Sequence, residues 1–499
     1  MIFQRLRNRF NNYDSKLDAV HNEILQLLQV QQQLTELCAS IQQKLTDTED
    51  RLIHVEERLM HVEERCKIVD EDKIEDMRAR LIHIEDKNSR LLNAAVLKYG
   101  KLDSDNYYLW KKTEKPQYDY GIFGMWFTQN YGAALTSYAL YKELERLGYA
   151  AILIDLPQIG GGNSHDQAAD SLDRVFITEN TITTETLDVQ NVKALNSVCD
   201  AFIYGSDSLW GGGYEYQVYA LEGVLFGSKI CDGKHIVSFS TSFGSWQGSG
   251  ADSSERQYIS ALLKRFQYIS AREKSGALLC KTEFGTEASW TLDPVWLLPA
   301  AEYEKVMDTD TPLPDEFIFA YILQPLPDKL YMVKYLSDKF DRKVVFVSDM
   351  NAKLRSQFGE YKQYDFIYHD DMAVSTWLTA MKKAKFVITD SYHGMCFSMI
   401  FKKQFLSLYP RDGLIRYIDI QNLVDISDRI NIKNIDEMEK ALAHSIDYIQ
   451  LDDIMNKKIE HDRNELKHAL KKKPIKTTDV SVTELESAIL VKKILKKLN

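Results

Sequence analysis

Residues 386–409 read FVITDSYHGMCFSMIFKKQFLSLY. A short apolar run leads into a polar turn, then a helical segment that begins near Gly394, then a second apolar run. Strands that are apolar on both faces and joined through helices belong to a parallel sheet covered on each side. The same alternation extends in both directions. Upstream, EFIFAYILQ (316–324), KVVFVSD (343–349) and YDFIYH (364–369) read as strands. Beyond a Pro- and Asp-rich break, PAAEYEKVMDTDTPLPD (299–315), lies an earlier set: YDYGIFGMW (118–126), AAILID (150–155), DAFIYGSD (200–207), KHIVSFSTSFG (234–244) and FQYISA (266–271). Residues 131–148 and 253–266 carry the helical period among them. The fold class is α/β, with two Rossmann-like domains at 117–300 and 313–445, and a C-terminal helical segment at 446–499. Ligands of such sheets sit at the carboxyl ends of the strands.

Residues 1–98 are of another kind. The first Gly is Gly100 and the first Pro is Pro116. Apolar residues recur at alternating spacings of three and four, from Leu17, Val20, Ile24 and Leu27 through Leu52, Val55, Leu59 and Val62. This heptad predicts a long N-terminal α-helical coiled coil. Basic g positions (Arg51, Arg58) and acidic e positions (Glu56, Glu63) match in a parallel, in-register homo-oligomer. A single helix folded back on the body is the alternative.

Composition bounds the function. Of 499 residues, 62 are Lys or Arg and 73 Asp or Glu, a net charge of −11, which disfavours a nucleic-acid partner. There is no apolar run long enough to span a bilayer and no secretory leader, so the expectation is a cytoplasmic protein. The six cysteines form no CxxC pair, which points away from disulfides and from zinc. Residues 484–498 form a basic amphipathic helix that suits peripheral contact with an anionic membrane face; docking on the body is the competing reading.

Several polar residues fall at strand ends. His393 stands where a helix begins, and a histidine there serves as general acid or base beside an anion-attracting N-terminus. Arg272, in ISAREKSG, can grip a carboxylate or phosphate, or pair with Glu273 on the surface. Asn130 either contacts ligand or caps the following helix. Asp207 either acts as a base toward acceptor hydroxyls or forms a turn, and Trp210 can stack on a sugar face. Glu273 and Lys274 read as solvated helix-start residues, and Asp293–Pro294 as a structural turn. Asp390 is expected to order the His393 loop, Gly160–Gly162 to form a loop, and Cys396 to be buried packing.

Taken together, NYGAALTSYALYKELERLGY (130–149), DAFIYGSDSLWG (200–211), ISAREKSG (269–276), LDPVWLL (292–298) and FVITDSYHGMCFSMIFKKQF (386–405) resemble the polysaccharide pyruvyl transferase family. The resemblance runs from about 118 to 430 and excludes the coil. It implies a GT-B-like pair of domains and transfer of pyruvate from phosphoenolpyruvate to two sugar hydroxyls, forming a cyclic ketal, with no cofactor and no metal required. It implies His393 as the functional histidine and Arg272 as the donor-binding arginine; Asp207, from its place at a strand end, is the second catalytic candidate. Asn130, Ser391 and Trp210 complete the expected substrate contacts. Some branches of the family place an arginine where this chain has Ser391. A second cation then comes from Arg411 or Arg416, or the donor differs. The implied partners are a sugar or lipid-linked oligosaccharide acceptor and further copies of the chain. A nucleotide-sugar glycosyltransferase and a non-catalytic biosynthetic scaffold are the rival readings.

Overall fold

The structure is a computed structural model. It describes residues 117–156, 171–205, 207–230, 233–246, 248, 253–350, 355–410 and 413–473. The coiled-coil segment, Gly160–Gly162, Arg411 and the basic tail helix lie outside these residues.

Two six-stranded sheets, parallel throughout, organise the described chain. The first takes β1 (Tyr118–Phe123), β2 (Ala151–Leu153), β3 (Cys199–Tyr204), β4 (His235–Thr241), β5 (Tyr268–Ala271) and β6 (Ser289–Trp290) in the order β2-β1-β3-β4-β5-β6. The second takes β7 (Phe317–Tyr321), β8 (Lys343–Val347), β9 (Ile367–His369), β10 (Phe386–Thr389), β11 (Phe405–Leu408) and β12 (Ile430–Ile432) in the order β12-β11-β10-β7-β8-β9. The second order is that of a Rossmann sheet. The first is the flavodoxin-like order extended by one strand, a doubly wound variant of the same class. The two-residue β6 and three-residue β12 sit at sheet edges, and neither lies in a continuous apolar run of the sequence.

In each sheet the winding direction reverses once, between β1 and β3 and between β7 and β10. These reversals open crevices at the strand carboxyl ends. The elements that follow them matter most: α1 (Tyr131–Arg146) after β1, and α8 (Tyr392–Ile400) after β10. Between them along the chain lie α2 (Leu172–Asn180), α3 (Ser253–Leu263), α4 (Lys274–Phe284), α5 (Ala300–Glu304), α6 (Pro327–Phe340) and α7 (Val374–Lys383).

The domains meet through α1. Its first residue, Tyr131, is fully buried, stacks on Trp377 at 5.4 Å and donates its hydroxyl proton to Met372 O at 2.6 Å. Each such aromatic contributes roughly 1.5–3 kcal/mol through burial. Gly132 allows the approach, because a Cβ there would lie 1.9 Å from His393 Nδ1.

After β11 come α9 (Ile415–Leu423), α10 (Ile435–Leu442) and α11 (Tyr448–Lys471). The last of these begins on the second domain, where Tyr448 donates to Ser398 O at 3.3 Å. It ends on the first domain, where Asp462 accepts from Leu292 N at 2.8 Å and Leu470 O accepts from Tyr120 Oη at 3.0 Å. Among the described residues no helix is long and apolar enough to cross a membrane.

Candidate active site

A cavity of about 200 Å³ lies where the two crevices face each other. Loops after β1, β3, β7, β8, β10 and β11 line it, with Asn130, Asp207, Ser391, His393 and Arg416 among the polar groups. Residues separated by more than 250 positions thus share one chamber.

His393 is placed by two local devices. Ser391 adopts extended backbone geometry and its Oγ accepts from Gly394 N at 3.4 Å, so it is the N-cap that starts α8. Gly394 is needed because a Cβ there would fall 2.2 Å from Thr389 Oγ1. The imidazole is then held from the first domain. Nε2 lies 3.1 Å from Thr136 Oγ1 and 3.3 Å from Asp293 Oδ2. Thr136 already donates to Asp293 Oδ1 at 3.1 Å, so its lone pairs face Nε2 as acceptors. The network therefore assigns the neutral ring's proton to Nε2 and leaves the lone pair on Nδ1. Among the described residues Nδ1 has no hydrogen-bond partner.

Asp293 is the residue that sequence reasoning undervalued. It does form the expected turn, accepting from Val295 N at 3.0 Å. The same buried carboxylate also takes Arg272 Nη1 at 2.7 Å. Burial pushes its carboxyl upward, but His393 and Arg272 outweigh that and bring it down to about 2. An Asp-Pro pair carries no trace of a contact 100 residues away; only its position just after β6 marks it.

Arg272 departs from expectation. Its side chain is 2% exposed and does not line the cavity. Three carboxylates hold it: Asp207 at 2.6 Å from Nη2, Asp293 at 2.7 Å from Nη1 and Glu273 at 3.2 Å from Nε. The Tyr392 ring stacks over it at 5.2 Å. Burial opposes its charge, yet the three carboxylates raise its pKa well above the usual value. Three of its five N–H donors are thus turned to carboxylates, and the side chain holds Asp207 and Asp293 in place. Glu273 is likewise not solvated: it is buried and accepts from Ser242 Oγ at 2.6 Å.

Asp207 does line the cavity, bridging Arg272 and Arg416, with Arg416 Nη1 at 3.4 Å. Burial raises its carboxyl, but Arg416 and Arg272 together hold it far below the usual range. So low a basicity suits accepting hydrogen bonds from hydroxyls better than removing their protons. Asn130 caps α1, its Oδ1 accepting from Ala133 N at 3.0 Å, and the residue lines the chamber.

Trp210 is corrected. It is fully buried, stacks on Phe226 at 5.2 Å and donates Nε1–H to Leu225 O at 2.8 Å, so it offers no face to a sugar. Asp390 is corrected in its target. It accepts from Leu323 N at 2.6 Å, Gln324 N at 3.0 Å and Lys329 Nζ at 2.7 Å, tying the loop after β7 in place of its own. Cys396 is buried, and burial with Asp293 nearby raises its thiol well above the usual value, which leaves it inert as a nucleophile. Among the described residues no group of three or more His, Cys, Asp or Glu is arranged to hold a metal ion.

A cavity enclosed between the carboxyl edges of two parallel sheets defines a two-lobed α/β architecture that binds its ligand in the cleft. A family model described as polysaccharide pyruvyl transferase matches residues 130–413, which span both sheets and nearly every cavity residue named above. The chain belongs to the polysaccharide pyruvyl transferase family. No curated protein matches it. Similar solved structures include the S. aureus MnaA–UDP complex, at 16% identity and TM-score 0.44, covering 72% of this chain and 99% of that one. Another is UDP-N-acetylglucosamine 2-epimerase from Rickettsia bellii, at 12% identity and TM-score 0.42, covering 76% and 95%.

Proposed function

We propose that the protein moves pyruvate from phosphoenolpyruvate onto two hydroxyls of a sugar in a surface-polysaccharide precursor, forming a cyclic ketal. The family supports the transfer. The observation that carries the chemistry is His393, in the cavity at the start of α8, with Nε2 bound to Asp293 and Nδ1 without a partner.

In this reading the His393 imidazolium gives a proton to the donor's methylene carbon, which becomes the methyl group. A sugar hydroxyl adds at the adjacent carbon and its proton returns to the imidazole. The second hydroxyl then displaces phosphate from that carbon, and its proton leaves with the phosphate. The histidine ends as it began. Asp293 keeps the ring oriented, and Arg272 fixes Asp293 and Asp207. Asp207, Asn130 and Ser391 are the contacts offered to the sugar and the donor.

Incubating the purified protein with phosphoenolpyruvate and p-nitrophenyl glycosides tests the reading through phosphate release. His393→Gln is expected to lower the rate by roughly 10²–10⁴-fold. Tight binding of a UDP- or CMP-sugar with no phosphate release from phosphoenolpyruvate would replace this reading by the glycosyltransferase one.

A further inference from the structure

Phosphoenolpyruvate carries a phosphate and a carboxylate, two anionic groups that call for cations or N–H donors facing the cavity. Arg272 does not line the cavity, and its guanidinium is divided among three carboxylates. The described lining holds the carboxylates of Asp207, Asp349 and Asp390 and a single Lys or Arg side chain, Arg416.

Arg416 is held unlike Arg272. Both guanidinium groups address the same atom, Asp207 Oδ1, Arg272 at 2.6 Å and Arg416 at 3.4 Å. The short contact is buried, and the long one belongs to a side chain that is 19% exposed. The remaining hold on Arg416 is Ser208 Oγ, at 2.6 Å from Nη2. Its backbone position is also unfavourable to a cation. Arg416 lies in the first turn of α9, where the helix dipole repels positive charge, and Leu414 before it provides no side-chain cap. A residue that breaks a local rule without a structural return marks a functional position.

We infer that Arg416 is the residue that grips the donor's acidic group, and that it does so by exchanging Asp207 and Ser208 for the ligand. This rests on the donor assignment made above. Arg416 comes from the second domain, while Asp207 and Ser208 come from the first. The exchange therefore trades a contact across the cleft for a contact to the ligand. It also relieves Asp207 Oδ1 of its second guanidinium, freeing lone-pair capacity for a sugar hydroxyl.

The test is equilibrium binding of inorganic phosphate and of phosphoenolpyruvate to the full chain and three variants, with urea midpoints as folding controls. Arg416→Gln is expected to weaken both ligands by about 10-fold or more, the scale of a charge-assisted hydrogen bond. Arg416→Lys recovers part of this loss, keeping the charge but not the fork. Ser208→Ala tightens phosphate binding by about 2–10-fold by releasing the guanidinium. Unchanged affinities in Arg416→Gln and Arg416→Lys, with wild-type urea midpoints, overturn the inference alone. Phosphoenolpyruvate bound through Arg416 without phosphate release in the presence of sugars upholds it and overturns the proposed reaction. Wild-type protein that binds neither anion overturns both.

Discussion

The two domains supply the cavity with charge in opposite ways. From the first come Arg272, Asp293 and Glu273, all buried, joined through Arg272 and set behind the cavity wall. From the second come His393 and Arg416, each on the first turn of a helix and each facing the space where a ligand fits. A buried ionic cluster costs desolvation and repays it only through good geometry, so it fixes positions and contributes little else. Of the two, Arg416 is the more loosely held, at 19% exposure, while His393 is tied to Thr136 and Asp293. The first domain is the jig, and the second carries the tools.

The contrast breaks most visibly at Arg272. Arg272→Met leaves Asp207, Asp293 and Glu273 around an uncharged side chain. Stability from urea unfolding is expected to fall by about 3–5 kcal/mol, the cost of an uncompensated buried charge. A fall below about 1 kcal/mol would mean that the cluster does not hold the first domain together.

Acid titration sharpens the same point. Asp293 has its carboxyl lowered to about 2 in the folded protein, against roughly 4 in an unfolded chain. A lowered folded value gives stability that is fully present above about pH 4 and disappears as pH falls toward 2. Wild-type protein should therefore lose on the order of 2 kcal/mol through that window on account of this group. In Asp293→Asn the loss over the same window should shrink by that amount, as read from urea midpoints at successive pH values.

The smallest difference concerns the caps. Asn130 holds α1 at 3.0 Å, whereas Ser391 holds α8 at 3.4 Å. Asn130→Ala is expected to cost about 1 kcal/mol and Ser391→Ala about half as much, by thermal unfolding. Equal costs would show that the two helix starts are secured alike.

Most of the sheet framework was legible because its strands are continuous apolar runs, and burial on both faces demands that pattern. The edge pieces β6 and β12 were not, since Ser289–Trp290 and Ile430–Ile432 stand in no continuous apolar run. Among the polar residues, Asn130, Asp207, Ser391 and His393 were legible from their places at strand ends, and all four line the cavity. Asp293 and Thr136 were opaque because their importance lies in contacts 100 and 257 residues distant. Arg272 was misread for a related reason: a sequence shows that an arginine follows a strand, but not how many carboxylates converge on it. Trp210 failed likewise, its indole being enclosed by Phe226, Phe243 and Phe266.

The helix α11 has a mechanical consequence. Its 24 residues make a rod about 36 Å long. One end is fastened to the second lobe through Tyr448, and the other to the first through Asp462, Arg463 and Leu470. A strut bolted to two bodies converts any gaping between them into bending of the strut. One continuous helix therefore ties the two walls of the cleft together from behind.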